Sequence, residues 1–162
     1  MSALRIGVGI DAHAFEPGVP LVLAGVVIDS PRGLAGHSDG DVIAHALTDA
    51  LLGAAGLADI GALFPSDDER YRGADSLALL AEAYRQVREA GYDLVNADCV
   101  LVGQEPRIAP HREAMGERLA AALGVDAGKV GVRATTTDFL GFTGRGEGLA
   151  AQAVALLERA PE

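Results

Sequence analysis

The sequence predicts an α+β fold: a four-stranded mixed sheet with helices packed on one face. Three observations carry this. Stretches of Ile, Val and Leu alternating with smaller or polar residues recur along the chain. Between them stand stretches with apolar residues at helical spacing, several opened by Asp and closed by Gly. The order is two strands, two helices, then strand–helix twice, which interleaves the two types around one core.

Taken in order, Leu4 to His13 alternates and is rich in Ile, Val and Gly, so it reads as a strand. Pro20 to Ile28 reads as a second, close enough to pair antiparallel with the first. Ser30 to Gly40 is a loop broken by Pro31, Gly33, Gly36 and Gly40. Asp41 can cap a helix to about Ala55, with Val42, Ile43, Ala46, Leu47, Ala50, Leu51 and Ala54 on its apolar side. Ala58 to Gly73 is a polar loop with room for one helical turn after Ser66. Asp75 can cap a second helix that ends at Gly91. Leu94 to Val102 is a strand, and Pro106 and Pro110 bound a short connection. A third helix runs to about Leu123 and is stopped by Gly124. Lys129 to Thr135 is the last strand, Gly141 to Gly148 a glycine-rich turn, and Leu149 to Arg159 a closing helix. With no repeat or linker, residues 1–162 form one domain.

Composition narrows the functional classes. Apolar residues make up 49% of the chain, enough for a full core, but aromatics are only 4% and Trp is absent. Ala, Val, Leu and Gly must therefore do most of the packing. The net charge of −10, with no Lys/Arg run, argues against a nucleic-acid surface. A phosphorylated small molecule remains compatible, because metals and backbone N–H groups reverse the sign locally. The single cysteine, Cys99, forms no internal disulfide; it reads as core filler. Met1 to Ile10 lacks the features of a signal peptide, and no apolar run reaches membrane-spanning length. A cytoplasmic protein without a membrane partner is expected.

Four motifs could carry chemistry. Asp11 and His13 lie two apart on a strand and so face the same side. His45 on the first helix could join them, and one carboxylate with two imidazoles and an open fourth position is the pattern of a catalytic zinc. Taken alone, Asp-x-His is more often a turn cap beside an edge histidine. His37 and Ser38 stand just before the helix opened by Asp41, where free N–H groups and the dipole favour an anion. Asp49 lies one turn beyond His45. Ala134-Thr135-Thr136-Thr137-Asp138 offers hydroxyls to phosphate oxygens and a carboxylate to a hard cation, although threonines are also ordinary strand formers. Phe142 to Gly148 alternates glycines around Arg145 and Glu147 and could form an anion nest or simply a turn. His111, after Pro110, reads as a surface or capping residue.

In combination these blocks are specific. Gly9-Ile10-Asp11-Ala12-His13-Ala14-Phe15, His37-Ser38-Asp39-Gly40-Asp41-Val42 with His45, Asp59-Ile60-Gly61 to Phe64-Pro65, and Thr135-Thr136-Thr137 through Gly141 to Gly148 resemble the signature blocks of the 2-C-methyl-D-erythritol 2,4-cyclodiphosphate synthases. The resemblance spans the chain in the family's order. It implies a homotrimer with active sites between subunits, acting in the non-mevalonate route to isoprenoids. The implied substrate is 4-diphosphocytidyl-2-C-methyl-D-erythritol 2-phosphate, which is cyclised with release of CMP.

The resemblance also implies roles. Asp11, His13 and His45 would bind Zn2+ or another divalent ion, and Asp138 a Mg2+ or Mn2+ bridging the diphosphate. His37 and Thr136 would be the catalytic donors to developing charge. His37 and Ser38 would contact phosphate and the methylerythritol unit, which Asp59 and Gly61 would also hold, and Ile60, Phe64, Ser66 and Asp68 would bind substrate beside them. Gly103, Arg107, Ile108 and Ala109 would enclose the cytosine, with Ala134, Thr135 and Thr136 on the phosphates. Phe142 and Arg145, with Glu147, would face the trimer axis, where relatives can hold an isoprenoid diphosphate.

Three positions depart from the family's pattern. Asp138 replaces the usual Glu and is shorter by one C–C bond, about 1.5 Å. Ser66 stands where Asp is common. Arg107 replaces a Lys, which keeps the charge and changes the geometry. Two other readings stand beside the cyclising enzyme: a zinc phosphoesterase that activates water, and a non-catalytic trimer that binds isoprenoid diphosphates through Phe142 and Arg145.

Overall fold

The computed structural model describes residues 3–161, so the first two residues of the Met1 to Ile10 stretch lie outside the described residues. Along the chain stand β1 (Leu4–Pro17), β2 (Leu21–Leu23), β3 (Val26–Ile28), β4 (Arg32–Leu34), α1 (Val42–Ala55), α2 (Ile60–Leu63), α3 (Ser76–Glu89), β5 (Tyr92–Val102), α4 (Arg112–Leu123), β6 (Val130–Thr135), α5 (Gly141–Gly144) and β7 (Gly148–Arg159). Single 3-10 turns occur at Glu69–Tyr71, Ala109–His111 and Ala127–Lys129. No helix among the described residues is long and apolar enough to cross a membrane.

The main sheet is mixed, as expected, and has five strands in the order β4-β1-β7-β5-β6. Strands β5 and β6 run parallel, and the other neighbours are antiparallel. The expected four strands become five, because three assignments along the chain change. Leu149 to Arg159 is not a helix but most of β7, the central strand, paired with β1 from Leu4↔Glu158 to Ala14↔Gly148 and with β5 on its other side. Pro20 to Ile28 is not one strand beside β1. It is a separate hairpin of β2 and β3, turned at Ala24 and Gly25, both at positive φ. Arg32–Leu34, expected as loop, is a short edge strand on the end of β1.

The error over β7 has a physical cause. Its inward residues Leu149, Ala151, Ala153, Ala155 and Leu157 are buried, but the outward Ala150, Val154 and Leu156 are apolar too. With both faces apolar, the period-two signal vanishes, and Ala- and Leu-rich composition then favours a helix on propensity alone.

The three long helices, α1, α3 and α4, lie where the sequence predicts them, whereas the single-turn α2 and α5 stand in stretches expected as loop and turn. Asp41 caps α1 by accepting from Ala44 N, and Gly56 ends it in the left-handed conformation. Asp75 caps α3, and Gly124, also left-handed, stops α4. Helix α1 lies across β1 and β7 and forms the heart of the core. A Cβ built on Gly7 would run into the Ala50 carbonyl oxygen, and one on Gly9 into that of Ala46. Helix and strand thus touch backbone to backbone, over a bed of alanines. The opposite face of the sheet carries Ile6 at 72%, Val8 at 56% and Ile10 at 68% exposure.

Asp41 does more than cap. It is fully buried, and besides Ala44 N it accepts from Ala24 N and Gly25 N at 2.8 Å each, which clamps the hairpin turn to α1. Burial pushes its carboxyl up to about 6, against the pull of those three N–H donors.

Two outcomes follow from this packing. Gly9→Ala will destabilise the protein by about 3 kcal/mol or more, because the carbonyl it meets belongs to a helix backbone and cannot rotate away; urea denaturation at fixed protein concentration measures this, and a loss under about 1 kcal/mol would mean that α1 slides freely on β1. For Asp41 the folded carboxyl near 6 lies above its unfolded value near 3.8, so the folded state holds the proton more tightly between those limits. The stability advantage of the native chain over Asp41→Asn should therefore grow by about 2 kcal/mol from pH 7.5 to pH 4.5. All other groups titrate in both proteins, and an advantage that shrinks instead would refute the assignment.

Candidate metal and phosphate site

The backbone contact of α1 with β1 sets the first half of the site. Asp11 and His13 are inward positions of β1, and His45 lies in the first turn of α1, above them. Asp11 Oδ2 is 2.8 Å from His13 Nε2 and 3.0 Å from His45 Nδ1, and the two ring nitrogens are 3.3 Å apart. These three form the one potential metal-holding group of His, Cys, Asp and Glu found among the described residues. Tetrahedral zinc with Zn–N bonds near 2.0–2.1 Å sets its donor atoms about 3.3 Å apart. The triangle therefore fits a single divalent cation, with little movement needed.

Electrostatics agree. Burial alone would raise the Asp11 carboxyl, but the hydrogen bonds and charges of His13 and His45 outweigh it and bring it to about 2. The Asp11 hydrogen bond in turn pushes His13 up, against its own burial. The two imidazoles thus crowd one carboxylate that stays charged, which is the donor set a divalent ion replaces protons in.

A cavity of about 530 Å³ opens beside the triad, lined by His13 and His45 and by His37, Ser38, Ile60, Gly61, Phe64 and Ser66. Most of the residues expected to hold the methylerythritol unit thus meet there. Asp49, one turn beyond His45, accepts from Ile60 N at 2.8 Å and ties this loop to α1; burial pushes its carboxyl up. Asp59 caps α2 by accepting from Ala62 N. His37 donates from Nε2 to the Asp68 carbonyl at 2.9 Å, which leaves Nδ1 for a ligand. The Asp68 side chain is taken up by Arg70, which holds its carboxyl below the usual range. Asp67 and Tyr71, which the sequence analysis passed over, line the cavity instead. Nothing in their spacing marked them, because a 3-10 turn at Glu69–Tyr71 decides which of these side chains face inward.

The remaining expected site residues lie elsewhere on the chain. Gly103, Arg107, Ile108, Ala134, Thr135, Thr136 and Arg145 line a cavity of about 680 Å³ that shares no lining residue with the first. Ala109 opens the 3-10 turn just after it, which also contains His111. Thr136 and Asp138 belong to a tight turn in which Asp138 N donates to Thr136 Oγ1 at 3.3 Å and Asp138 has a positive φ. Phe142 is 43% exposed, and Arg145 pairs with Glu147 at 3.1 Å on the surface. Phe139, unremarked in the sequence, also lines this cavity and is 77% exposed. Cys99 is buried in the core, its thiol pushed up to about 12 by burial, and is no nucleophile.

Comparison with known proteins bears directly on this arrangement. The chain is 62% identical over 154 residues to the 2-C-methyl-D-erythritol 2,4-cyclodiphosphate synthase of Moorella thermoacetica, covering 95% of this chain and 94% of the relative. It is 62% identical over 163 residues to the synthase of the same name from Rubrobacter xylanophilus, at 99% and 98% coverage. Among solved structures, the bifunctional IspDF of Campylobacter jejuni superposes with a TM-score of 0.95 at 45% identity, over 98% of this chain and 43% of that one. A 2C-methyl-D-erythritol-2,4-cyclodiphosphate synthase solved in a CDP-bound form superposes with a TM-score of 0.86 at 44% identity, over 94% and 99% of the two chains. The model of the YgbB family matches residues 4–158, and with relatives this similar along its whole length the chain belongs to that family.

Proposed function

We infer that the protein converts 4-diphosphocytidyl-2-C-methyl-D-erythritol 2-phosphate to 2-C-methyl-D-erythritol 2,4-cyclodiphosphate with release of CMP, in isoprenoid precursor synthesis. The observation that carries this reading is the Asp11–His13–His45 triad opening onto its cavity, in a chain whose relatives bear the synthase's name.

The substrate's 2-phosphate is anionic at neutral pH, so the reaction needs no strong base. It needs two anions held together, with the β-phosphorus in line for attack. A divalent ion on the triad, zinc in our reading, and a Mg2+ or Mn2+ at Asp138 would neutralise phosphate charge and polarise the reacting phosphorus. His37 Nδ1 and the Ser38 hydroxyl reach the same cavity and can orient the attacking phosphate. Ile60, Gly61 and Phe64 pack about the carbon chain, with Asp59 beside them, and the Ser66 hydroxyl stands in for a carboxylate at one substrate hydroxyl. Thr135 and Thr136 offer hydroxyls to the diphosphate, and Arg107 to Ala109 wrap the cytosine. Holding the reacting groups in contact can remove about 7–11 kcal/mol of barrier, and donors at His37 and Thr136 stabilise charge as CMP leaves.

The two cavities are separate within one protomer, which supports an active site completed across a subunit boundary. We read the assembly as a homotrimer joined through the exposed apolar face of the sheet, where Ile6, Val8, Ile10 and Val154 need cover. Thr136 and Asp138 of one subunit would then face the triad of the next. Phe142, Arg145 and Glu147 would lie near the axis, with an apolar ring and a cation suited to an isoprenoid diphosphate.

Phosphorus NMR of the substrate with protein, Zn2+ and Mg2+ or Mn2+ should show the cyclic diphosphate appearing together with CMP. His45→Ala should slow this by about 10³-fold or more. Linear hydrolysis products would move the protein to the phosphoesterase reading, and binding of an isoprenoid diphosphate with no turnover to the binding-only one. Ile10→Lys should leave Zn2+ binding intact, yet convert trimers to monomers in sedimentation and abolish turnover; active monomers would refute the shared site.

A further inference from the structure

We propose that Ser76 and Asp39 form an acceptor relay behind His45 that orients it as an Nδ1 ligand, making both positioning residues for the metal site. The proposal rests on the reading of Asp11, His13 and His45 as that site.

His45 presents Nδ1 to Asp11 and His13, while Nε2 points away from them. Once Nδ1 gives its lone pair to a cation, the one remaining ring proton is on Nε2 and needs an acceptor. Ser76 Oγ lies 2.8 Å from Nε2, and Ser38 Oγ lies 3.1 Å away. A serine hydroxyl can accept there only if its own proton goes elsewhere. Ser76 Oγ donates to Asp39 Oδ1 in a short hydrogen bond, and Ser76 N donates to Asp39 Oδ2 at 3.0 Å. The Asp39 carboxylate also accepts from Asp41 N at 3.1 Å, so its side chain acts as an acceptor in each of these hydrogen bonds. The polarity of the chain is therefore set in one direction: Asp39 takes the Ser76 proton, Ser76 takes the His45 Nε2 proton, and Nδ1 is left for the metal. Ser38 Oγ, 3.3 Å from Ser76 Oγ, can share in this.

Helix capping does not account for Ser76. Asp75 already caps α3 through Leu77 N, yet the Ser76 hydroxyl is buried at 0% exposure and directed at His45. A buried hydroxyl costs stability unless it is partnered, and its partners here are the ring of the expected ligand His45, the Asp39 carboxylate and the Ser38 hydroxyl. The three residues come from the loop before α1, from α1 itself and from α3. The relay thus ties the ligand's ring orientation to the packing of two helices, as outer-shell partners do for metal-bound histidines.

The test measures Zn2+ affinity by chelator competition, and the absorption bands of the Co2+-substituted protein, for Ser76→Ala, Asp39→Asn and His45→Ala in the full chain. Folding is read from the metal-free melting temperature, and either relay variant that folds is sufficient. Ser76→Ala and Asp39→Asn should each weaken Zn2+ binding by about 10–100-fold and shift the Co2+ bands, while His45→Ala loses the site. Unchanged Zn2+ affinity in a folded relay variant, with His45→Ala still abolishing binding, would overturn the relay and leave the metal site standing. Unchanged affinity in His45→Ala would overturn both.

Discussion

The contact on which the rest depends is the backbone-to-backbone seating of α1 on β1 at Gly7 and Gly9. A side chain at either position would hold the helix off the sheet. Without one, the helix sinks until Ala46, Ala50 and Ala54 meet the glycines and the buried alanines of β7. That depth decides the chemistry as well as the packing. Asp11 and His13 follow directly on Gly9 along the strand, and His45 directly precedes Ala46 on the helix. Close approach of the two backbones is what brings three donor atoms to within about one tetrahedral edge of each other. Small residues along this one contact, Gly7 and Gly9 against Ala46, Ala50 and Ala54, are the condition for this triad.

Around that contact, polar groups do the positioning. Asp41 uses one buried carboxylate to cap α1 and clamp the hairpin turn, and Asp39 and Ser76 join the loop before α1 to α3. No buried side-chain nitrogen or oxygen among the described residues lacks a partner. Such fully satisfied networks hold a single arrangement, because any alternative strands a donor or acceptor away from water. The loop carrying His37 and Ser38 is thereby held against both helices and beside the triad.

The chain's strong net negative charge is no obstacle to handling a diphosphate. The acids are spread over helix caps and surface ion pairs, such as Arg85 with Glu82 and Arg133 with Asp98. The positions we read as phosphate-facing carry histidine and hydroxyls instead, and a bound cation would supply the rest. The exposed apolar face of the sheet is set apart from this chemistry: Ile6, Val8, Ile10 and Val154 line neither cavity.

The long helices and their ends were legible in the sequence alone. Caps at Asp41 and Asp75 and stops at Gly56 and Gly124 are written in single residues, and their effects extend over one turn. The Asp-x-His pair was legible for the same reason, whereas His45 and the ordered signature blocks were assigned by resemblance to the family. Features that depend on a partner element were not legible in this way. Leu149–Arg159 became the central strand because β1 and β5 flank it, overriding its helical composition, and its apolar outer face hid the alternation. The hairpin at Leu21–Ile28 left β1 because Asp41, more than a dozen residues on, anchors its turn. The role of Ser76 was invisible because its meaning comes from His45 and Asp39, both more than thirty residues away along the chain. Propensity and spacing act over a few residues, whereas sheet order and side-chain partners are set by which surfaces can be buried together.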